Sequence, residues 1–92
     1  MDRIQIHEAK CNELHTTYVI KNHDYGDSFA KTRAVVPNAI LVRLHDKLNR
    51  LTTLMTGEAA MVKDESIDDT LLDLANYALM ELVEREAERS NG

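Results

Sequence analysis

The stretch Ser66-Ile67-Asp68-Asp69-Thr70-Leu71-Leu72-Asp73-Leu74-Ala75-Asn76-Tyr77-Ala78-Leu79-Met80-Glu81-Leu82-Val83 decides the fold. Ile67, Leu71, Leu74, Ala78 and Leu82 recur at steps of three and four, which places them along one side of an α-helix. Leu72, Leu79 and Val83 widen that side past half the circumference. Ser66 is a suitable N-cap, and Asp68 and Asp69 fall in the first turn, where negative charge meets the positive end of the helix dipole. So broad an apolar face needs more cover than a small bundle supplies. The chain is therefore expected to form a homo-oligomer, most simply a homodimer.

Working upstream, Leu41, Leu44, Leu48, Leu51 and Met55 form a second helical seam. Pro37 suits the first turn of that helix, where its missing N–H is not needed, and Gly57 suits its end. Residues 58–64 read as a loop. A third stripe, Ile4, His7, Cys11, Leu14 and Tyr18, opens the chain. That helix is expected to stop near Lys21, because Asn22-His23-Asp24-Tyr25-Gly26-Asp27 is turn chemistry and Gly26 is free to take positive φ. Asp27 or Ser28 is placed to cap a short helix over residues 29–33. The charged tail, residues 84–92, is expected to fray. The reading is an all-α bundle of three long helices and a short one, forming a single domain over residues 1–92.

Composition agrees. A chain of 92 residues is one small domain that buries only about two thirds of its unfolded surface. With no Trp, one Phe and three Tyr, its core must come from aliphatic side chains, and three Gly and one Pro are too few turns for an all-β fold. Eleven basic residues face sixteen acidic ones, a net charge of −5. Residues 1–55 carry 8 basic and 6 acidic side chains, whereas residues 56–92 carry 3 and 10. The acidic balance and the lack of a basic run argue against duplex nucleic acid as a partner. One cysteine excludes an internal disulfide and suits a reducing compartment. No apolar stretch approaches the roughly 20 residues that cross a bilayer. A cytoplasmic protein without a membrane partner is expected.

Three clusters carry possible chemistry. Asp69 and Asp73 are four apart, so their carboxylates share a helix face, which Asn76 and Tyr77 continue. Glu65 lies one turn earlier, and such oxygens suit Mg²⁺ or Mn²⁺. The plainer reading is an acidic N-terminus serving the dipole, although Asp73 lies too deep for that. Arg43, Lys47 and Arg50 surround Asp46 on the middle helix, either to hold phosphates or as a solvated face of weak ion pairs. Lys21, Asp24 and Tyr25 meet at the first turn, where a Tyr ring can stack on a base. His7, His15, His23 and His45 have no metal-ligand spacing, and there is no HExxH, phosphate-binding loop or GxGxxG. His7 reads as a core-edge residue and Cys11 as packing.

Three blocks in order carry a resemblance: Lys21-Asn22-His23-Asp24-Tyr25-Gly26-Asp27-Ser28-Phe29, Arg43-Leu44-His45-Asp46-Lys47-Leu48-Asn49-Arg50-Leu51, and Glu65-Ser66-Ile67-Asp68-Asp69-Thr70-Leu71-Leu72-Asp73-Leu74-Ala75-Asn76-Tyr77-Ala78. Over about residues 15–82 the chain resembles the nucleotide modification associated domain 1 family of bacteriophages and their hosts. That family in turn looks like a relative of the MazG-like all-α nucleotide pyrophosphohydrolases, which hold Mg²⁺ on acidic helices and release pyrophosphate. Their ExxE half has no counterpart here beyond Asp46.

The resemblance implies two readings. In one, an enzyme holds Mg²⁺ with Asp46, Asp69, Asp73 and Glu65. Phosphates then meet Lys21, Arg43, Lys47 and Arg50, the base meets Asp24, Tyr25 and Tyr77, and metal-activated water attacks phosphorus. In the other, the same residues bind a nucleotide or nucleotide-derived immune signal without cleaving it. A third reading, a structural homo-oligomeric bundle with solvated charges, needs no ligand.

Overall fold

The computed structural model describes residues 1–25, 27–57 and 63–91. Four helices follow in order: α1 (Arg3–Tyr25), α2 (Ser28–Val35), α3 (Ala39–Thr56) and α4 (Lys63–Asn91). No strand occurs among the described residues. The expected architecture of three long helices and a short one is present.

Helix ends show where local chemistry decides. At the start of α1 the Gln5 backbone N–H donates to Asp2 Oδ1 at 2.8 Å, and the Asp2 N–H donates to Gln5 Oε1 at 2.9 Å. This reciprocal capping box satisfies two donors that a helix start leaves open. The other end of α1 runs through Tyr25 instead of stopping near Lys21. Asn, His and Asp are only mildly poor helix formers, so a few tenths of a kcal/mol each does not stop a helix that packs. The break comes at Asp27, with φ of 59°, and Gly26 lies outside the described residues. Asp27 precedes α2 without a side-chain cap bond, and its carbonyl accepts from the Lys31 N–H at 3.0 Å.

Pro37 lies before α3 and not in its first turn. Asn38, left-handed at φ of 57°, is the residue that precedes the helix. Asn takes this conformation more readily than most residues. Gly57 ends α3 as expected, in an extended conformation, its N–H donating to the Thr53 carbonyl at 2.8 Å. A Cβ at Gly57 would lie 2.5 Å from the Thr53 oxygen, so close approach is what requires glycine there. α4 begins at Lys63, which puts Ser66 inside the helix and not at its cap. There the Ser66 carbonyl accepts from the buried Thr70 hydroxyl at 2.7 Å. Of the expected loop, residues 58–62 lie outside the described residues and 63–64 are helical. The expected frayed tail is helical through Asn91.

α3 and α4 run antiparallel, with Arg43 against Tyr77 and Lys47 against Asp73. They form the framework on which the other helices dock. Few side chains are buried: Phe29, Ala39, Thr70 and Asn76. Half-buried Leu44 and Leu51 of α3 and Ile67 and Leu74 of α4 complete the apolar packing. α2 is tied to α4 by Arg33, which donates to Glu81 through Nε at 2.9 Å and Nη2 at 3.0 Å, and through Nη1 to Glu88. This bidentate pair raises the Arg33 pKa above its already high value. It also holds Glu81 below the ordinary glutamate range.

α1 crosses α4 through Leu14, Thr17 and Tyr18, and Asn76 Nδ2 donates to the Leu14 carbonyl at 3.3 Å. Residues 1–13 are exposed throughout. His7 and Cys11 are therefore not core-edge or packing residues: the stripe that holds them extends past α4. The Cys11 sulfur lies 3.8 Å from His7 Nδ1, one turn away on the same helix. Among the described residues no helix is long and apolar enough to cross a membrane.

Candidate functional site

A cleft of about 250 Å³ opens where the end of α1, the starts of α2 and α3 and the middle of α4 meet. α4 supplies one wall, because Asp73, Asn76, Tyr77, Met80 and Glu84 follow the three- and four-residue steps of one helix side. Tyr18, Lys21 and Asn22 come from α1, Arg43 from α3, and Asp27, Ser28 and Phe29 from the α1–α2 junction.

The cleft has an aromatic side and a cationic side. The Phe29 and Tyr77 ring centroids are 6.1 Å apart with planes tilted by 55°, within the range of favourable aromatic pairs. The Arg43 guanidinium sits 5.9 Å from the Tyr77 ring centre, which fixes its direction. Asp73 lies between two lysines, with Oδ2 3.0 Å from Lys47 Nζ and Oδ1 3.9 Å from Lys21 Nζ. Lys21 and Lys47 therefore flank one carboxylate, with Arg43 over the neighbouring Tyr77 ring. Asp27 and Glu84 also line the cleft, so these three cations face three carboxylates. Small-molecule sites typically hold roughly 300–1,000 Å³, so this cleft encloses part of a nucleotide-sized ligand and leaves the rest open.

On the other side of the α1–α4 crossing a second recess of about 290 Å³ is lined by Glu13, Leu14, Thr17, Asp69, Leu72, Asp73 and Asn76. Asp73 borders both.

The structure thus gathers Lys21, Arg43, Asp73 and Tyr77 in one cleft and sets Lys47 on its carboxylate. Arg50 and Asp46 are exposed on α3 and line neither recess; Arg50 shares the Arg43 side of the helix but lies two turns, roughly 10 Å, further along it. Asp69 borders only the second recess. The side chains of Asp24, Tyr25 and Glu65 lie outside the described residues. Among the described residues no three His, Cys, Asp or Glu side chains gather as a metal site. Of the set expected for Mg²⁺, Asp69 and Asp73 line one recess, Asp46 lines neither, and Asp73 is paired with two ammonium groups.

Tyr18, Asn22, Phe29, Asn76, Met80 and Glu84 join the cleft without having been singled out as ligand contacts. A signal existed for some of them. Tyr18 lies one turn before Lys21, and Met80 and Glu84 continue the Asp73–Tyr77 side of α4. Phe29 reaches the cleft by tertiary packing, which spacing does not show.

The family model of nucleotide modification associated domain 1 matches residues 21–84, which spans most of the chain and every cleft residue except Tyr18. The chain belongs to this family. No curated protein and no solved structure matches it. This nucleotide modification associated domain thus places Arg43, Asp73 and Tyr77, the centre of its cleft, inside the matched segment.

Proposed function

We propose that the cleft binds a nucleotide or nucleotide derivative. Arg43, Lys21 and Lys47 meet its phosphates, and Tyr18, Phe29 and Tyr77 form the apolar wall for its base. The observation that carries this reading is the pair of lysines on Asp73 with Arg43 beside them over the Tyr77 ring. Arg offers a planar donor fork and Lys a point charge, a pairing suited to phosphate oxygens. The family's name points to the same ligand class. Binding without cleavage is the favoured form, because Asp73 is engaged by lysines. In that form the domain sequesters a nucleotide or a nucleotide-derived signal, such as one a phage would withhold from its host.

The alternative is a MazG-like, Mg²⁺-dependent pyrophosphohydrolase. Its support is that Glu13, Asp69 and Asp73 all line the second recess, without gathering into a metal site. Mg²⁺ held there would supply an activated water for attack on phosphorus, with pyrophosphate as the leaving group.

A panel of linear and cyclic nucleotides, incubated with the protein in Mg²⁺ or in chelator and chromatographed after heat release, separates the two. An intact ligand retained in both conditions is expected. Pyrophosphate formed only with Mg²⁺ would establish the hydrolase instead. The Asp73→Asn variant sharpens the result. Removing the lysines' partner should leave nucleotide affinity equal or higher, whereas a metal ligand at Asp73 would make the same change abolish turnover. A panel with no ligand retained and none cleaved would overturn both.

A further inference from the structure

We propose that the N-terminal arm of α1, residues 3–13, packs on the outer stripe of α4 in a second copy of this chain. Along α1, one stripe runs Ile4, His7, Cys11, Leu14, Tyr18 at steps of three and four. Its second half lies on α4, and its first half lies on nothing: Ile4 is 79% exposed. The arm is nevertheless specified as helix to its first residue by the Asp2–Gln5 capping box. The arm extends a helix already nucleated by the packing of Leu14, Thr17 and Tyr18, which holds its stripe on one side, ready for a surface that receives it.

The receiving surface is also visible. Leu71, Ala75, Ala78, Leu79 and Leu82 are exposed along α4, away from the side that meets α3. The two alanines allow a helix to approach between the flanking leucines. The arm cannot reach its own α4 stripe, because α1 is one continuous helix that carries Ile4 roughly 15 Å beyond Leu14. A second copy can take it, and two-fold symmetry then lets each chain give one arm and receive one.

The area favours a copy of the same chain. The accessible surface is 7226 Å², about 1,800 Å² more than the roughly 5,400 Å² of a compact 10.5 kDa protein. The radius of gyration, 15.1 Å, exceeds the roughly 12 Å of a compact chain this long. A standard interface buries about 800 Å² per partner, so the excess is more than enough for one.

Sedimentation equilibrium on the full chain tests this. An assembly of two or more copies is expected, and Ile4→Glu and Leu82→Glu should each dissociate it with the helical circular dichroism retained. Arg43→Ala should leave the assembly intact, which separates this result from any outcome for the cleft. A covalent readout uses the single native thiol. The Leu79→Cys variant should cross-link to Cys11 between chains under mild oxidation, and adding Cys11→Ser should abolish the cross-link. A monomer at high concentration, an assembly that survives both glutamates, or a cross-link that persists without Cys11 would each overturn the proposal.

Discussion

The two halves of α1 share one helix and one stripe, yet they do opposite things. Residues 14–22 lie across α4, where Leu14, Thr17 and Tyr18 are half-buried and Lys21 and Asn22 reach the cleft. Residues 3–13 are exposed on every side. The periodicity is the same in both halves, because it reports which side of a helix wants cover. What covers that side is set by where the next helix crosses, and α4 passes beneath the second half alone. The same contrast separates the inner sides of α3 and α4, which meet each other, from their exposed Leu41, Leu48, Leu71 and Leu82.

The strongest way to break the comparison is to truncate one side chain in each region. Phe29 of α2 is buried at 5% exposure against Tyr77, so Phe29→Ala should lower unfolding free energy by roughly 3–5 kcal/mol in urea. Ile4→Ala, measured dilute enough to be monomeric, should change it by less than about 0.5 kcal/mol. Similar losses at both sites would mean that the arm packs within its own chain.

Next in size is the cleft. Arg43 is held over Tyr77 and faces the space assigned to phosphate. Arg43→Ala should weaken nucleotide binding by about 10- to 100-fold, the worth of one or two charge-assisted hydrogen bonds, read by calorimetry. Arg50→Ala, on the same side of α3 but two turns beyond the cleft, should leave affinity unchanged. The opposite ranking would move the phosphate site toward the C-terminal half of α3.

These two arginines show how far the chain could be read from its sequence. The cationic stripe holding Arg43 and Lys47 follows from spacing within one helix. Of the expected seams, only Leu44 and Leu51 of α3 and Ile67 and Leu74 of α4 are half-buried, while Leu41, Leu48, Met55, Leu71, Ala78 and Leu82 are exposed. Arg50 read as their equal because one-dimensional spacing cannot show where α1 and α4 cross. Helix ends were harder for a related reason. At Asn22 and Asp24 the local preference for a turn is worth tenths of a kcal/mol, and the docking of α1 on α4 through Leu14, Thr17 and Tyr18 outweighs it. Pro37 misled because Asn38 takes the left-handed conformation that sets the start of α3. Arg33 could not be paired from sequence, since Glu81 and Glu88 lie 48 and 55 residues away.

That pair gives a pH-dependent prediction. Arg33 holds Glu81 below the ordinary glutamate range, so the folded state binds the Glu81 proton less readily than the unfolded chain does. The resulting stabilisation is full above the ordinary value of about 4.3 and is lost as pH falls through the lower, folded value. Arg33→Met should lower Tm modestly at pH 7, because both partners are about four-fifths buried. The difference from wild type should shrink as pH falls below the ordinary glutamate range. A difference that stays constant would mean that Arg33 acts through its aliphatic stem against α2 and α4 and not through the ion pair.

The smallest effect returns to the arm. Asp2→Ala removes one side of the capping box and should destabilise the first turns of α1 by about 1 kcal/mol. In a dilute monomer this loss is local, because a segment that touches nothing can unwind without disturbing α3 and α4. The urea midpoint should therefore not move. Once copies associate, the arm must be helical to reach α4 of the other chain, and the same 1 kcal/mol per arm becomes part of the association energy. The dissociation constant should then rise about fivefold for each arm engaged. A midpoint that falls in the monomer would show that the arm is coupled to its own bundle, and the two halves of α1 would no longer differ in what holds them.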